Sequence, residues 1–239
     1  MAEIAKKAAA MEGGDFVVLN LDGGDPNGVN KSTEELIAVV KEVAEAIDCP
    51  LVVEGCKNVE KDAELLPKVA EALQGRNVIV MSEKEENYKA IGAAAGLAYN
   101  QIVGAESADD INLAKQLNVV TTQLGVDAKK IVMNVGTASV GYGYEYVVST
   151  MDRIKGAALS QNDNMLQMPI ITPVSSETPP RTMSLAGAFS SVSGRFRSVR
   201  RFSVTSSPVT PSPRVAPRTN TPFSYSSDMD RPSIFGSTE

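Results

Sequence analysis

The stretch from Asn134 to Tyr146 carries the residue types best suited to binding a ligand. Its sequence, NVGTASVGYGYEY, follows a largely apolar run that is typical of a buried strand, and a helical pattern starts near Glu145. A glycine-rich turn between strand and helix can present backbone N–H groups to a ligand. The Gly141-x-Gly143 spacing resembles a phosphate-binding turn but lacks the third glycine of that motif. Tyr142 offers a flat ring for stacking on a cofactor, whereas Tyr146 is predicted to be helix core.

Polar side chains with small loop formers recur where each predicted strand ends. Because the carboxyl ends of parallel strands form one face of an α/β barrel, this repetition predicts a ligand-binding face. The asparagine amides favour a large polar ligand. For any single loop an alternative stays open, since βα loops are polar at the surface and also carry helix caps. The candidate binding residues are Asn20, Asp22, Asn58, Asn87, Asn134, Thr137, Tyr142 and Gly143.

The chain has no histidine and two cysteines. This excludes Ser–His and Cys–His nucleophile pairs, imidazole zinc sites and imidazole acid–base catalysis. Cys49 and Cys56 are too few for a disulfide framework or a four-ligand metal site, so we interpret them as buried and unreactive. Asp22 and Asp25 lie beside Gly and Pro, where turn formation is a commoner role for aspartate than metal binding or acid–base chemistry. We therefore predict no catalytic residue and no metal ligand.

Composition changes abruptly after Ser176. Residues 1–176 contain 15 basic and 25 acidic residues, whereas residues 177–239 contain 8 basic residues, all arginine, and 4 acidic ones. Eight of the 13 prolines also lie in this second part. Its isolated hydrophobic side chains cannot bury enough area to offset the entropy of ordering. We predict a folded domain over residues 1–176 and a disordered Arg/Ser/Pro-rich tail over residues 177–239.

The acidic charge of residues 1–176 argues against a nucleic-acid-binding surface. No apolar stretch reaches the roughly 18 residues that a transmembrane helix needs. The N-terminus, MAEIAKKAAAMEGG, has the composition of a helix and lacks the apolar core of a signal peptide. We expect a cytoplasmic protein with neither nucleic acid nor membrane as a partner.

Short apolar runs alternate with longer helical patterns through residue 176. Apolar runs without alternation are typical of strands covered on both faces of a parallel sheet. The predicted strands are Phe16–Leu21, Leu51–Glu54, Asn77–Met81, Gln101–Ala105, Lys130–Val135 and Met168–Thr172. The predicted helices are Met1–Met11, Ser32–Ile47, Glu60–Leu73, Glu85–Tyr99, Ala108–Leu124 and Tyr144–Leu159. Ser32 and Glu35 predict a capping box, Ser107 a similar cap, and Pro67 a break or kink in its helix.

The strand spacing is that of repeating βα units. A (β/α)8 barrel of ~250 residues uses about 30 residues per unit, and the predicted strands start at comparable intervals. Only six strands are visible, where a closed barrel needs eight and a doubly wound sheet tolerates six. We interpret the fold class as α/β, an incomplete TIM-type barrel of about six βα units followed by a disordered tail.

Five motifs occur in the order found in one known family. They are DGGDPN at 22–27, LVVEGCKNVEKDAELLPKVAEA at 51–72, SEKEENYKAI at 82–91, DDINLAKQLN at 109–118 and GYGYEYVVSTMDRIKGAAL at 141–159. With these motifs the chain resembles the small subunit of the corrinoid iron–sulfur protein, which in methanogenic archaea is the delta subunit of the acetyl-CoA decarbonylase/synthase complex. The resemblance extends to residue 176 of this sequence.

The resemblance implies a TIM barrel similar to pterin-binding methyltransferases, working in methanogenesis or the Wood–Ljungdahl pathway. In that family a large, gamma-type corrinoid iron–sulfur subunit carries the cluster, and a cobamide lies between the subunits of the heterodimer. The cofactor accepts a methyl group from a tetrahydropterin and passes it to acetyl-CoA synthase, so that enzyme and the methyltetrahydropterin methyltransferase component are implied partners. Two cysteines cannot hold a four-iron cluster, which agrees with a cluster on the partner and none on this chain.

Within this resemblance, Phe16–Leu21 matches the family's second strand and Met168–Thr172 its seventh, so the first and eighth strands are expected to be missing. We interpret the chain as a non-catalytic component of a methyl-transfer complex that helps to hold a cobamide with the candidate residues above. Two other interpretations stay open. One is a pterin-dependent methyltransferase in which Asp22, Asn58 and Asn134 hold the pterin, and the other is a non-functional truncated fragment.

Overall fold

A computed structural model describes residues 1–174 and 203–205, all within a unit that spans Met1–Pro208. Every predicted strand is present, within two residues of its predicted ends. The strands are β1 Val17–Asn20, β2 Leu51–Glu54, β3 Ile79–Glu83, β4 Ile102–Glu106, β5 Ile131–Asn134, β6 Ile170–Ile171 and β7 Ser203–Thr205. The helices are α1 Ala2–Ala9, α2 Thr33–Ala46, α3 Val59–Ala72, α4 Tyr88–Ile91, α5 Ile111–Leu124 and α6 Tyr144–Ser160, with a π-helical segment at Gly92–Ala98 and 3-10 turns at Asp22–Gly24, Ala128–Lys130 and Asn164–Leu166.

Strands β1 to β6 pair in chain order, each parallel to the next. A doubly wound sheet would instead reverse its strand order at a switch point. Consecutive parallel order is the order of a (β/α) barrel wall. The described chain is therefore an α/β half-barrel of six parallel strands, with the short β7 added at the β1 edge.

The two faces of the sheet bury different side chains. On one face, residues such as Leu19 and Val53 pack against helix residues that include Leu36 and Leu65. The buried cluster on the opposite face contains strand residues alone among those described. Its members are Val18, Val52, Met81, Val132 and Ile171, with Phe16, Ile79 and Ile102 partly buried beside them. Because side chains alternate along a strand, this helix-free face is the inside of the half-barrel.

The N-caps of α2 and α5 were both predicted from the sequence, and only the first prediction is correct. The Ser32 hydroxyl accepts from the Glu35 N–H at 3.2 Å, and the Glu35 carboxylate accepts from the Ser32 N–H at 3.2 Å, which confirms the predicted capping box. The cap predicted at Ser107 is wrong. Asp110 caps α5 instead, because its carboxylate accepts two first-turn N–H groups at 2.7 and 3.3 Å and so satisfies more of the free donors at the helix start.

Of the two effects predicted for Pro67, a break or a kink, the break is wrong. Helix α3 continues through the proline because buried Leu66 and Val69 anchor the helix on both sides of it. The interruption occurs one unit later, where α4 passes into the π-helical segment. There a Cβ atom on Gly96 would lie 2.5 Å from Val126 Cγ2, so the absence of a side chain lets this segment pack closely on the turn after α5.

The three residues of β7 lie in the part of the chain predicted to be disordered. They run parallel to β1, with Val18 opposite Ser203 and Asn20 opposite Thr205. Ser203–Thr205 takes up backbone groups that the β1 edge presents. The rest of the predicted tail lies outside the described residues.

Two glycine-to-alanine substitutions should change stability in opposite directions. A Cβ atom at Gly104, on the inside of the half-barrel, would overlap Met81 Cγ, so Gly104→Ala is expected to destabilise the fold by about 1–3 kcal/mol. Gly156 lies within α6 with nothing within 4 Å of such an atom, and Gly156→Ala should stabilise by about 0.5–1 kcal/mol. Urea unfolding of the two variants measures both effects. Equal shifts for the two variants would contradict the tight packing of Met81 against β4.

Candidate functional site

The inner face changes from apolar to polar at the carboxyl ends of the strands. Asn20 and Glu54 are opposite each other in the β1–β2 register, and Glu106 and Asn134 in the β4–β5 register. Three of them lie two residues beyond an inward-facing valine of their own strand, and Glu106 lies four residues beyond the inward-facing Ile102, so these side chains also face inward. We call Asn20, Glu54, Ser82, Glu106 and Asn134 the polar edge.

Asn134 is fully buried and connects three strands of the polar edge. Its Nδ2 donates to Ser82 Oγ at 3.0 Å and lies 3.4 Å from Glu106 Oε2, while its Oδ1 accepts from the Gly136 N–H at 3.0 Å. One amide thus fixes the ends of β3, β4 and β5 and the start of the loop that leads to α6. The other carboxylate oxygen of Glu106 lies 3.5 Å from Lys84 Nζ, in an ion pair that is only partly buried.

At the end of β1, the Asn20 side chain positions the next turn. Its Oδ1 accepts from the Asp22 N–H at 2.9 Å. Burial raises the pKa of the Asp22 carboxyl above its ordinary value of 3.8, whereas the charge of Lys57 and a hydrogen bond from Asn20 lower that pKa, and Asp25 raises it. Asp22 is therefore a half-buried carboxyl whose charge depends on the neighbouring β2–α3 loop.

Cys56, in the β2–α3 loop, is held by a carboxylate in the first turn of α3. The Cys56 N–H and the Cys56 thiol both donate to Asp62 Oδ1, at 2.8 and 3.1 Å. Burial raises the pKa of the thiol to about 12, and the adjacent carboxylate raises it as well. This thiol stays protonated at neutral pH, which agrees with the prediction of a buried, unreactive Cys56, while Cys49 is half-buried.

Two of the remaining candidates are engaged in local structure. Asn58 Oδ1 accepts from the Lys61 N–H at 3.0 Å, so this side chain is the N-cap of α3. Gly143 is the N-cap of α6 with φ of 115°, a conformation that favours glycine, and its N–H donates to the Glu145 carboxylate at 3.2 Å.

The other three candidates offer unused polar groups or exposed surface. Asn87 Oδ1 accepts from the Lys84 N–H at 2.7 Å, but its Nδ2 has no hydrogen-bond partner among the described residues. The buried Thr137 Oγ1 likewise has none within the described part of the chain. Tyr142 is 88% exposed and Tyr146 is 65% exposed. The prediction of Tyr146 as helix core is wrong, because α6 buries the face that carries Val147.

The structure thus brings Asn20 and Asn134 to the inner face and adds three residues absent from the predicted site. Glu54, Ser82 and Glu106 occur at strand ends in the sequence, but helix caps and turns are polar there too. The missed signal is the period of two along each strand, which puts Glu54 on the same face as Val52.

Glu83 follows Ser82 but lies on the other side of the sheet. The β3–β4 register shifts between Met81 and Glu83, so Glu83 pairs with Ala105 and turns towards the helix layer. Its Oε1 accepts from the Thr121 hydroxyl, and its Oε2 has no partner among the residues described. Burial raises the pKa of this carboxyl to about 7.

Metal ligands do not gather in the described part of the chain. No group of three or more His, Cys, Asp or Glu side chains in residues 1–174 could hold a metal ion.

Membrane-spanning helices were sought over the same described residues. None of the helices is both long and apolar enough to cross a bilayer.

The fold is that of an α/β half-barrel with a polar inner edge, and sequence comparison identifies the family. A family model for the CO dehydrogenase/acetyl-CoA synthase delta subunit matches residues 1–183. The chain belongs to this family.

Three relatives are called acetyl-CoA decarbonylase/synthase complex subunit delta, or delta 1 in Methanosarcina thermophila. The Methanothermobacter thermautotrophicus protein is 35% identical over 70% of this chain and 42% of its own length. The Archaeoglobus fulgidus protein is 34% identical over 71% of this chain and 37% of its own length. The Methanosarcina thermophila protein is 34% identical over 68% of this chain and 38% of its own length. The chain thus spans about two-fifths of the length of these relatives.

Among solved structures, a putative phosphonomutase from Burkholderia cenocepacia matches 80% of this chain and 98% of its own. The TM-score is 0.37 and the identity 11%, which is too low to bear on fold or function.

Replacing Glu83 by glutamine should flatten part of the pH dependence of stability. The ordinary pKa of 4.5 applies in the unfolded chain and about 7 in the folded one, so between these values the folded state binds more protons. Stability from this group is complete below pH 4.5 and falls as pH rises through about 7, by about 3 kcal/mol in total. Glu83→Gln keeps the Thr121 contact without a charge, and should be the more stable form at pH 8.

Urea unfolding of the full chain between pH 4 and pH 8 measures this difference. The neighbouring, exposed Glu85→Gln serves as the matched control and should follow the unsubstituted chain. A Glu83→Gln curve parallel to the unsubstituted one would show that the pKa of Glu83 is the same in the folded and unfolded chain, and would contradict the raised value.

Proposed function

We propose that this chain helps to hold a cobamide, together with a large, gamma-type corrinoid iron–sulfur subunit. In this function the cobamide moves a methyl group between a tetrahydropterin and acetyl-CoA synthase. The polar edge carries the proposal, because it gathers hydrogen-bonding side chains at the carboxyl ends of parallel strands, where barrel proteins bind their ligands. We further propose that the six strands are those of an incomplete TIM-type barrel.

The chemistry of the inner face fits the periphery of a corrin ring. That periphery carries primary amide side chains, which both donate and accept hydrogen bonds. Asn87 Nδ2 supplies an uncommitted donor and Thr137 Oγ1 an uncommitted hydroxyl, both in loops that follow strands. A ligand amide that paired with these atoms would remove the cost of leaving a buried polar group unsatisfied. The exposed ring of Tyr142, in the loop between β5 and α6, adds a flat surface.

Below the polar edge, apolar side chains close the inside of the half-barrel. Val18, Val52 and Met81 are buried there and exclude water from the side of the polar edge that faces the interior of the half-barrel. Above these apolar side chains, the Asn134 amide connects the ends of three strands, so that Ser82 and Glu106 keep a fixed orientation. These residues bind and orient, and none of them is assigned a proton-transfer step.

The cobalt of the cofactor supplies the methyl-transfer chemistry. The 239 residues contain no histidine, so this chain offers no imidazole to cobalt. Its two cysteines cannot hold a four-iron cluster, which supports placing the cluster on the large subunit. Acetyl-CoA synthase and a methyltetrahydropterin methyltransferase component complete the proposed partners, in the cytoplasm.

Reconstitution of the full chain with the large subunit and a cobamide tests the proposal. We expect a red, cobalt-containing complex that survives gel filtration and that neither protein forms alone to the same extent. Binding of methyltetrahydropterin by the chain without any partner would instead support the pterin-dependent methyltransferase. Failure to bind the subunit, cobamide or pterin would support the non-functional fragment.

Substitution of Asn134 should weaken cobamide retention. Asn134→Ala removes the bonds that orient Ser82 and Glu106, and the loss of about 1–3 kcal/mol of hydrogen bonding predicts an affinity lower by roughly 5- to 150-fold. Cobalt content of the reconstituted complex after dialysis measures the effect, with thermal unfolding recorded in parallel. Asn112→Ala, which alters an exposed amide on α5, is the matched control and should retain cobamide fully. Equal cobalt content in both variants would contradict the role of the polar edge.

A further inference from the structure

Glu106, at the end of β4, is held by two neighbours and still has room to accept further hydrogen bonds. Its Oε1 lies 3.5 Å from Lys84 Nζ, in an ion pair, and its Oε2 lies 3.4 Å from Asn134 Nδ2. Both contacts are long, and a carboxylate has about four lone-pair positions. The Glu106 side chain is 26% exposed. This carboxylate therefore has a fixed place on the polar edge and lone pairs left for a ligand.

Asn87, in the loop after β3, has a fixed amide with an unused donor. It is 4% exposed, and its Oδ1 accepts from the Lys84 N–H at 2.7 Å. Because a backbone N–H group can only donate, this contact decides which end of the amide is the oxygen. The other end, Nδ2, is buried and finds no partner in the described part of the chain. Asn87 precedes α4 but makes no side-chain capping bond to it, so helix capping does not account for this amide.

Lys84 brings these two groups to the mouth of the half-barrel, the opening at the carboxyl ends of its strands. Glu83 is opposite Ala105 in the β3–β4 register, so the residues that follow them, Lys84 and Glu106, are neighbours where the two strands end. The Lys84 backbone holds the Asn87 oxygen, and the Lys84 side chain pairs with Glu106. One residue thus connects a donor that lacks a partner to an acceptor with free lone pairs.

We propose that Asn87 and Glu106 form a donor–acceptor pair that binds one primary carboxamide of the ligand. The Asn87 Nδ2 donates to the ligand's carbonyl oxygen, and the Glu106 carboxylate accepts from the ligand's NH₂ group. This assignment deepens the proposed function and rests on it, because the cobamide is the source of the amide. It adds a specificity, since the ligand group at this position must carry an N–H donor.

The pair distinguishes an amide from the corresponding acid. A ligand carboxylate has no N–H group to offer, so Glu106 would face a like charge without a hydrogen bond. Specific sites combine a favourable contact for one ligand with a repulsive one for its competitor in this way. A ligand amide also gives Asn87 Nδ2 an acceptor and removes the cost of an unsatisfied buried donor. Conversion of this amide to the acid should therefore lower the affinity roughly tenfold or more.

The experiment compares a cobamide with its monocarboxylic acids, in each of which one side-chain amide has been hydrolysed. Equilibrium dialysis against the complex of the full chain with the large subunit gives a dissociation constant for each compound. For the unsubstituted chain we expect at least one monoacid to bind roughly tenfold or more weakly than the amide form. In Glu106→Gln, which replaces the charge by an amide of the same shape, this monoacid should regain most of the lost affinity. The exposed Glu86→Gln is the matched control and should keep the discrimination.

Asn87→Asp tests the donor. This substitution keeps an oxygen for the Lys84 N–H and replaces Nδ2 by a second oxygen, so the amide form should bind roughly tenfold or more weakly. Asn112→Asp, at an exposed position of α5, is the matched control and should bind the amide form like the unsubstituted chain. Circular dichroism checks the fold of each variant. If Asn87→Asp does not fold, the comparison of Glu106→Gln with the unsubstituted chain decides the assignment.

Equal affinity of the unsubstituted chain for the amide form and for every monoacid overturns the donor–acceptor pair, as does a discrimination that Glu106→Gln leaves unchanged. Unaltered binding of the amide form by a folded Asn87→Asp variant overturns the role of Asn87. In all these outcomes cobamide is bound, so the proposed function stands while the pair fails. A complex that binds no cobamide in any form overturns the proposed function and the pair with it.

Discussion

The parallel register between neighbouring strands is the constraint on which the site depends. With Asn20 opposite Glu54 and Glu106 opposite Asn134, side chains that are far apart in sequence reach the same height on the same face of the sheet. A slip by one residue in any pair would turn a polar residue into the helix layer and an apolar one into the mouth. The Asn134 amide reinforces this register by connecting β5 to Ser82 and Glu106. The geometry of the polar edge and the stability of the fold therefore rest partly on the same contacts.

Local signals predicted much of the fold. The apolar runs located all six strands, and the Ser32–Glu35 pair located the start of α2, because both depend on residues close together in the chain. Features that depend on packing were missed. The bulge that separates Ser82 from Glu83 arises from the register with β4, and the π-helical segment depends on close packing at Gly96. Neither leaves a distinct local pattern in the sequence.

The candidate site was predicted in outline and not in detail. The strand-end residues Asn20 and Asn134 lie on the polar edge, whereas Asn58 is engaged as a helix cap. Glu54 and Glu106 were passed over because polarity at a strand end does not distinguish an inward carboxylate from a surface one. The contact of Asp62 with Cys56 carried no sequence signal, since it depends on the close approach of the loop at Gly55.

The central claim is that the inner, carboxyl-end face of the half-barrel meets the cobamide. Hydrogen–deuterium exchange of the full chain in complex with the large subunit, with and without cobamide, tests it directly. The account predicts cobamide-dependent protection in the loops that follow β1, β2, β3 and β5, above all in the Asn134–Gly143 segment, and no change at the amino ends of the strands. Cobamide-dependent protection confined to the helix layer or to the amino ends would contradict it.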